Sequence, residues 1–126
     1  MTQGATVLFV DDEEDLRSLC SLVLTRAGYR VLVARDGKEG LALFQEHAAE
    51  VRLVVTDVNM PGGDGWLLYR RLRELRADIN LLFVSGFSAE GRTPAQCRAL
   101  DSGEETLEKP FTMNRLVAKV KEMLER

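Results

Sequence analysis

Val51-Arg52-Leu53-Val54-Val55-Thr56-Asp57-Val58-Asn59-Met60-Pro61 decides the fold. Leu53, Val54, Val55 and Val58 form a short apolar run, largely β-branched, and Asn59-Met60-Pro61 stops it. Such a run reads as a strand, Val51–Val58, buried on both faces of a parallel sheet. Asp57 interrupts it near its carboxyl end. A carboxylate is costly to bury there unless it has partners or work to do. In open parallel sheets ligands sit outside the carboxyl ends of the strands, so Asp57 is the expected chemical centre.

The rest of the chain alternates in the same manner. Ala5–Val10 is a second apolar run, ending in Asp11-Asp12-Glu13-Glu14, whose acids suit the positive end of a helix dipole. Leu16, Leu19, Cys20, Val23 and Leu24 recur at helical spacing, an apolar stripe expected to face the core, and Ala27-Gly28 stops that helix. Tyr29–Ala34 reads as a strand, and Asp36-Gly37-Lys38-Glu39 has the spacing of a capping box. Leu41, Phe44 and Ala48 mark the inner face of the next helix, and His47, the one histidine, reads as a plain surface residue. Pro61–Gly65 is a glycine-rich loop. Trp66–Arg76 follows as a helix with Leu68, Leu72 and Leu75 inward and Arg70, Arg71, Arg73 and Arg76 outward. That arginine face is expected to be solvated and Trp66 to be packing.

Asn80–Val84 is the next strand, leading into Ser85-Gly86-Phe87-Ser88. Gly91 and Pro94 leave room only for a short helix, capped by Thr93 with Pro94 at its first position and completed by Gln96–Leu100. Glu104–Glu108, EETLE, is a poor strand by composition, and its place in the alternation alone makes it the fifth. Lys109-Pro110-Phe111 follows, and Thr112 caps a last helix with Leu116, Val120, Met123 and Leu124 on one face.

Five strands alternating with five helices predict an α/β fold, a doubly wound five-stranded parallel sheet of flavodoxin-like (βα)5 type in the order 2-1-3-4-5. The 126 residues are expected to be one domain, 1–126, without an effector domain. The net charge of −3 argues against direct nucleic-acid binding, and no apolar stretch has the length of a membrane span. Cys20 and Cys97 lack metal-like spacing and read as reduced, partly buried thiols of a cytoplasmic protein.

The sheet order sets strand 1 beside strand 3, so Asp11, Asp12 and Asp57 converge. Three carboxylates in one cleft call for cations, and Mg²⁺ suits a few carboxylates and several waters. Lys109 adds a compact positive charge and Ser85 a hydroxyl donor. Carboxylates, lysine and hydroxyl together are a site for moving a phosphoryl group, with Asp57 as nucleophile.

Four pieces carry a resemblance: VLFVDDEED at Val7–Asp15, VVTDVNMPGGDG at Val54–Gly65, FVSG at Phe83–Gly86 and EKPF at Glu108–Phe111. In this order they resemble the receiver domain of two-component response regulators. The run FVSGF is similar to receivers attached to hybrid histidine kinases. The resemblance implies phosphorelay signalling, in which Asp57 accepts a phosphoryl group from the phosphohistidine of a sensor histidine kinase or histidine phosphotransfer domain. It implies that Asp12, Asp57 and the backbone carbonyl of Asn59 hold Mg²⁺, with Asp11 acting through water. It implies that Ser85 and Lys109 bind phosphoryl oxygens, that the Lys109–Pro110 bond is cis, and that an unknown output protein reads the result. On this reading the domain is not an enzyme beyond its own phosphorylation and dephosphorylation.

Two departures stand out against that family. Thr106 occupies the place of the usual switch aromatic, three residues before the lysine. The segment from Ser85 to Lys109 is about two residues longer than usual, so the fourth helix is expected to be short, displaced or mobile. Phe87 is expected at the mouth of the site, where its ring would hinder water. The competing readings are a Mg²⁺-dependent phosphatase of the haloacid dehalogenase type and an unphosphorylated binding module of the same fold. The first needs Asp-x-Asp on strand 1, which Asp11-Asp12-Glu13 does not supply.

Overall fold

The computed structural model describes residues 4–60, 65–86 and 94–126. The elements are β1 Thr6–Val10, α1 Glu14–Arg26, β2 Arg30–Ala34, α2 Gly37–Glu46, β3 Val51–Asp57, α3 Gly65–Leu75, β4 Asn80–Ser85, α4 Pro94–Asp101, β5 Glu105–Glu108 and α5 Met113–Leu124. The five strands are parallel, in the order β2-β1-β3-β4-β5. This is the predicted sheet, with β3 at its centre.

Strand alternation divides the core in two. Leu8, Val10, Val54, Leu81 and Phe83 face α2, α3 and α4, meeting Phe44, Leu68, Leu72 and Ala99. Val7, Phe9, Leu53, Val55, Leu82, Val84 and Leu107 face α1 and α5, meeting Cys20, Leu24, Leu116, Val120 and Met123. Leu53, Val54 and Val55 are wholly buried, as a central strand covered on both faces requires.

The weak β5 is an edge strand. Leu107 alone of its four residues is buried. Glu105 on its outer side is bonded to Lys119 and Arg126 of the chain's last helix and C-terminus. An edge strand needs one apolar row, and acids on it are tolerated.

The local punctuation is as read. Gly28 takes a left-handed φ of 103° after α1. Asp36 accepts from the Glu39 N–H, but the Glu39 carboxylate reaches back to the N–H of Arg35, one residue beyond the usual capping box. Thr112 caps α5 through the Arg115 N–H. α4 begins at Pro94 and, at eight residues, is the shortest helix. His47 is the C-cap of α2, half-buried beside Glu46 and Glu50.

Several expectations need correction. β3 ends at Asp57, with Val58 just past it. Leu19 and Leu75 are exposed, not inward. Arg73 and Arg76 are structural: Arg73 bonds the carbonyls of Ala77 and Ile79 and the carboxylate of Glu104, and Arg76 bonds the Ala48 carbonyl. Cys20 is buried and Cys97 exposed. The expected Thr93 cap, the Pro61–Asp64 part of the loop and Phe87 lie outside the described residues.

Candidate functional site

Three charged side chains stand where one apolar face of the sheet runs out at its carboxyl edge. Asp11 is two residues past Phe9, Asp57 two past Val55, and Lys109 two past Leu107. The period of two that buries those apolar residues beneath α1 and α5 carries the next side chains over the top of the sheet. Register places β1 and β5 on either side of the β3–β4 pair, so the three charges approach from separate strands.

The Lys109 ammonium joins them. Its Nζ lies 2.9 Å from Asp57 Oδ2 and 3.1 Å from Asp11 Oδ2. Asp11 is buried and Asp57 nearly so. The other Asp57 oxygen accepts from the Asn59 N–H at 3.0 Å, and Asp11 Oδ1 accepts from the Glu13 N–H at 2.8 Å. Each buried carboxylate is thus met by a backbone donor and by the lysine. Asp12, exposed beside Asp11, completes a group in which one oxygen from each of Asp11, Asp12 and Asp57 lies within 4.8 Å of the others.

Burial pushes the Asp57 carboxyl above the usual range. The Lys109 hydrogen bond and charge and the Asn59 N–H oppose that shift, and Asp11 adds to it. Burial also pulls Lys109 down, but the hydrogen bond and charge of Asp57, together with Asp11, outweigh it and hold the lysine above its ordinary value. The lysine therefore stays charged, and Asp57 is a carboxylate short of solvent with its counter-charge fixed beside it.

Ser85 sits on the opposite face, two residues past Phe83. Its carbonyl accepts from the Lys109 N–H at 2.8 Å, which carries the β4–β5 pairing up to the lysine. Its hydroxyl accepts from the Gln96 amide at 3.1 Å. The Lys109–Pro110 bond is cis, as the resemblance implied. Thr106 pairs in register with Phe83 and is half-buried. Trp66 and Tyr69 of α3 pack on Phe83, with ring centroids 6.4 and 5.3 Å away.

Two residues escaped sequence reasoning. Gly65 opens α3 directly against the end of β3: its N–H bonds the Val58 carbonyl, and a Cβ there would stand 1.9 Å from the Asp57 carbonyl oxygen. Three glycines in the loop signalled a turn, without showing which one is pressed against the strand. Gln96, buried in α4, had no signal at all.

The response regulator receiver domain family matches residues 7–121. The sensor kinase CckA of Brucella abortus is 40% identical over 126 residues, covering all of this chain and 13% of the kinase. The response regulator receiver protein CpdR of the same organism is 32% identical over 118 residues, covering 94% of this chain and 95% of CpdR. A response regulator receiver domain protein from Clostridium thermocellum superposes with a TM-score of 0.85 at 26% identity, over 97% of this chain and 95% of that one.

Proposed function

The chain belongs to the response regulator receiver domain family, and on that premise we propose that it is a phosphoacceptor whose acceptor is Asp57. The observation that carries this reading is Lys109 Nζ held between Asp57 and Asp11 at the carboxyl edge of the sheet. An Asp57 oxygen attacks the phosphorus of a phosphohistidine on a sensor histidine kinase or histidine phosphotransfer domain. The P–N bond breaks, and the imidazole, already protonated on its other ring nitrogen, leaves as the neutral ring. Lys109 neutralises charge on the non-bridging oxygens, and the Ser85 hydroxyl donates to one of them. Water later attacks the same phosphorus, returning the Asp57 carboxylate and releasing phosphate. Phosphoryl charge at this edge then alters a surface read by an output protein.

The donor set fits a hard divalent cation: three carboxylate oxygens close together, two of them on buried or nearly buried residues and one on an exposed residue. Asp12 and Asp57 would hold Mg²⁺ with the Asn59 carbonyl, and Asp11 would act through water. When bound, the ion supplies electrostatic stabilisation for the phosphoryl oxygens. Among the described residues no helix is long and apolar enough to cross a membrane, and we place this chemistry in the cytoplasm.

Incubation with Mg²⁺ and phosphoramidate, followed by intact mass measurement, tests the proposal. The expected result is one phosphoryl adduct on the wild-type chain and none on Asp57→Asn. A wild-type chain that takes no phosphoryl group would leave an unphosphorylated binding module as the reading.

A further inference from the structure

We infer that Gln96 is the positioning residue for Ser85, and that the state of the site reaches α4 through this one side chain. The inference deepens the preceding proposal and rests on its reading of Ser85 as a phosphoryl ligand. Gln96 is 3% exposed and is the one buried polar side chain of α4 among the described residues. Burying a carboxamide in a helix face is unfavourable unless its groups are bonded, and an apolar residue would fill the same space without that cost. The amide instead reaches the end of β4. Its Nε2 donates to Ser85 Oγ at 3.1 Å and to the Gly86 carbonyl at 2.7 Å.

The chemistry of the hydroxyl gives this contact a direction. A serine oxygen that accepts from Gln96 has its own proton directed elsewhere. Accepting one hydrogen bond also strengthens the one it donates. Gln96 therefore presents Ser85 as a donor, the role an anionic phosphoryl oxygen requires.

Placement makes the contact a link between the site and the helix. Asp11, Asp57 and Lys109 extend the apolar rows facing α1 and α5, whereas Ser85 extends the row facing α3 and α4. On that side β5 offers Thr106 and, in register with Ser85, the exposed Glu108, and the rings of Trp66 and Tyr69 belong to α3. When the Ser85 hydroxyl turns toward a phosphoryl oxygen, the Gln96 bond must follow or break, and α4 feels either change. By reciprocity, a partner bound on α4 alters the hold of Gln96 on Ser85.

The test is a double-mutant cycle on the full chain. Gln96→Met keeps length and burial while removing both N–H donors, and Gln96→Leu serves should the methionine variant not fold. Rates of adduct formation with phosphoramidate are read by mass for wild type, Gln96→Met, Ser85→Ala and the pair. Each single change is expected to slow the reaction about fivefold, the effect of one hydrogen bond. The pair is expected to match Ser85→Ala within about twofold, because the effect of Gln96 on the reaction runs through that hydroxyl, while its bond to the Gly86 carbonyl meets no reacting group. Losses that multiply to about 25-fold in the pair would overturn the inference and leave the phosphoacceptor reading intact. Absence of any adduct on wild type would overturn both. A second readout is the amide NMR signals of α4 on phosphorylation. They are expected to shift in wild type and to stay in place in Gln96→Met, and an unchanged shift in the variant would overturn the inference.

Discussion

Lys109 and Asp57 form an ion pair across the carboxyl edge of the sheet, Nζ to Oδ2 at 2.9 Å, between residues 52 positions apart. The same ammonium also serves Asp11, so one cation balances two buried or nearly buried carboxylates. Replacing it by an apolar side chain leaves those carboxylates facing each other. Lys109→Met is therefore expected to lose about 3 kcal/mol of stability in metal-free buffer, since removing one partner of a buried pair leaves charge uncompensated. Mg²⁺ should restore much of the loss, because a divalent cation among Asp11, Asp12 and Asp57 takes over the balance. Urea unfolding with chelator and with Mg²⁺ measures both. A deficit that Mg²⁺ does not reduce would remove the cation from the site.

Gly65 fixes how closely α3 approaches the acid. Its missing Cβ leaves room for the Asp57 carbonyl oxygen, which a methyl group would meet at 1.9 Å, and for Val58 Cα at 3.0 Å. Both obstacles are backbone, so the strain cannot relax by rotating a side chain. Gly65→Ala should cost at least about 3 kcal/mol. It should also slow phosphorylation by shifting the end of β3. Unfolding midpoints and adduct rates on the same preparations check this.

Asp57 was legible because a carboxylate closing an apolar β-branched run has no packing explanation. Asp11 and Lys109 were legible by the same rule once five strands had been counted. β5 was nearly lost, since an edge strand with one buried leucine carries little apolar signal. Leu19 was misread because consecutive helical residues lie 100° apart, so a stripe centred on Cys20 leaves Leu19 on its flank. Arg73 and Arg76 read as solvated because three of their acceptors are backbone carbonyls, which a side-chain alphabet does not display, and the carboxylate that Arg73 meets, Glu104, lies 31 positions away. Gln96 was invisible for a related reason. Its role depends on where α4 lies across β4, and a polar residue in a short helix ordinarily faces water.

Glu105 ties the edge strand to the end of the chain, through Lys119 at 2.8 Å and Arg126 at 2.7 Å. These hydrogen bonds, first Lys119 and then Arg126, hold its carboxyl below the usual glutamate range. Between the folded and the unfolded values the unfolded chain binds more protons, so stability rises with pH across that interval. The contribution is complete above the ordinary glutamate value and disappears as pH falls through the lowered one. Glu105→Gln should therefore be less stable than wild type at neutral pH by no more than about 1 kcal/mol, the group being largely solvated. The two unfolding curves should converge in acid, and urea midpoints taken across the acidic range would reveal the convergence.

The two cysteines differ in a way that makes α4 observable. Burial pushes the Cys20 thiol up to about 12, with the Asp11 charge adding to the shift and Lys109 opposing it. Cys20 also has no exposed surface. Thiolate is the reactive form, so Cys20 should resist alkylation in the native protein. Cys97 is exposed on α4, next in sequence to Gln96. A thiol reagent is expected to modify one thiol per folded molecule and two in denaturant, with Cys97→Ser abolishing the fast reaction. If phosphorylation of Asp57 moves α4 through Gln96, the alkylation rate of Cys97 should change on phosphorylation in wild type and hold constant in Gln96→Met. Equal rates before and after phosphorylation in wild type would place the output of this domain on a surface other than α4.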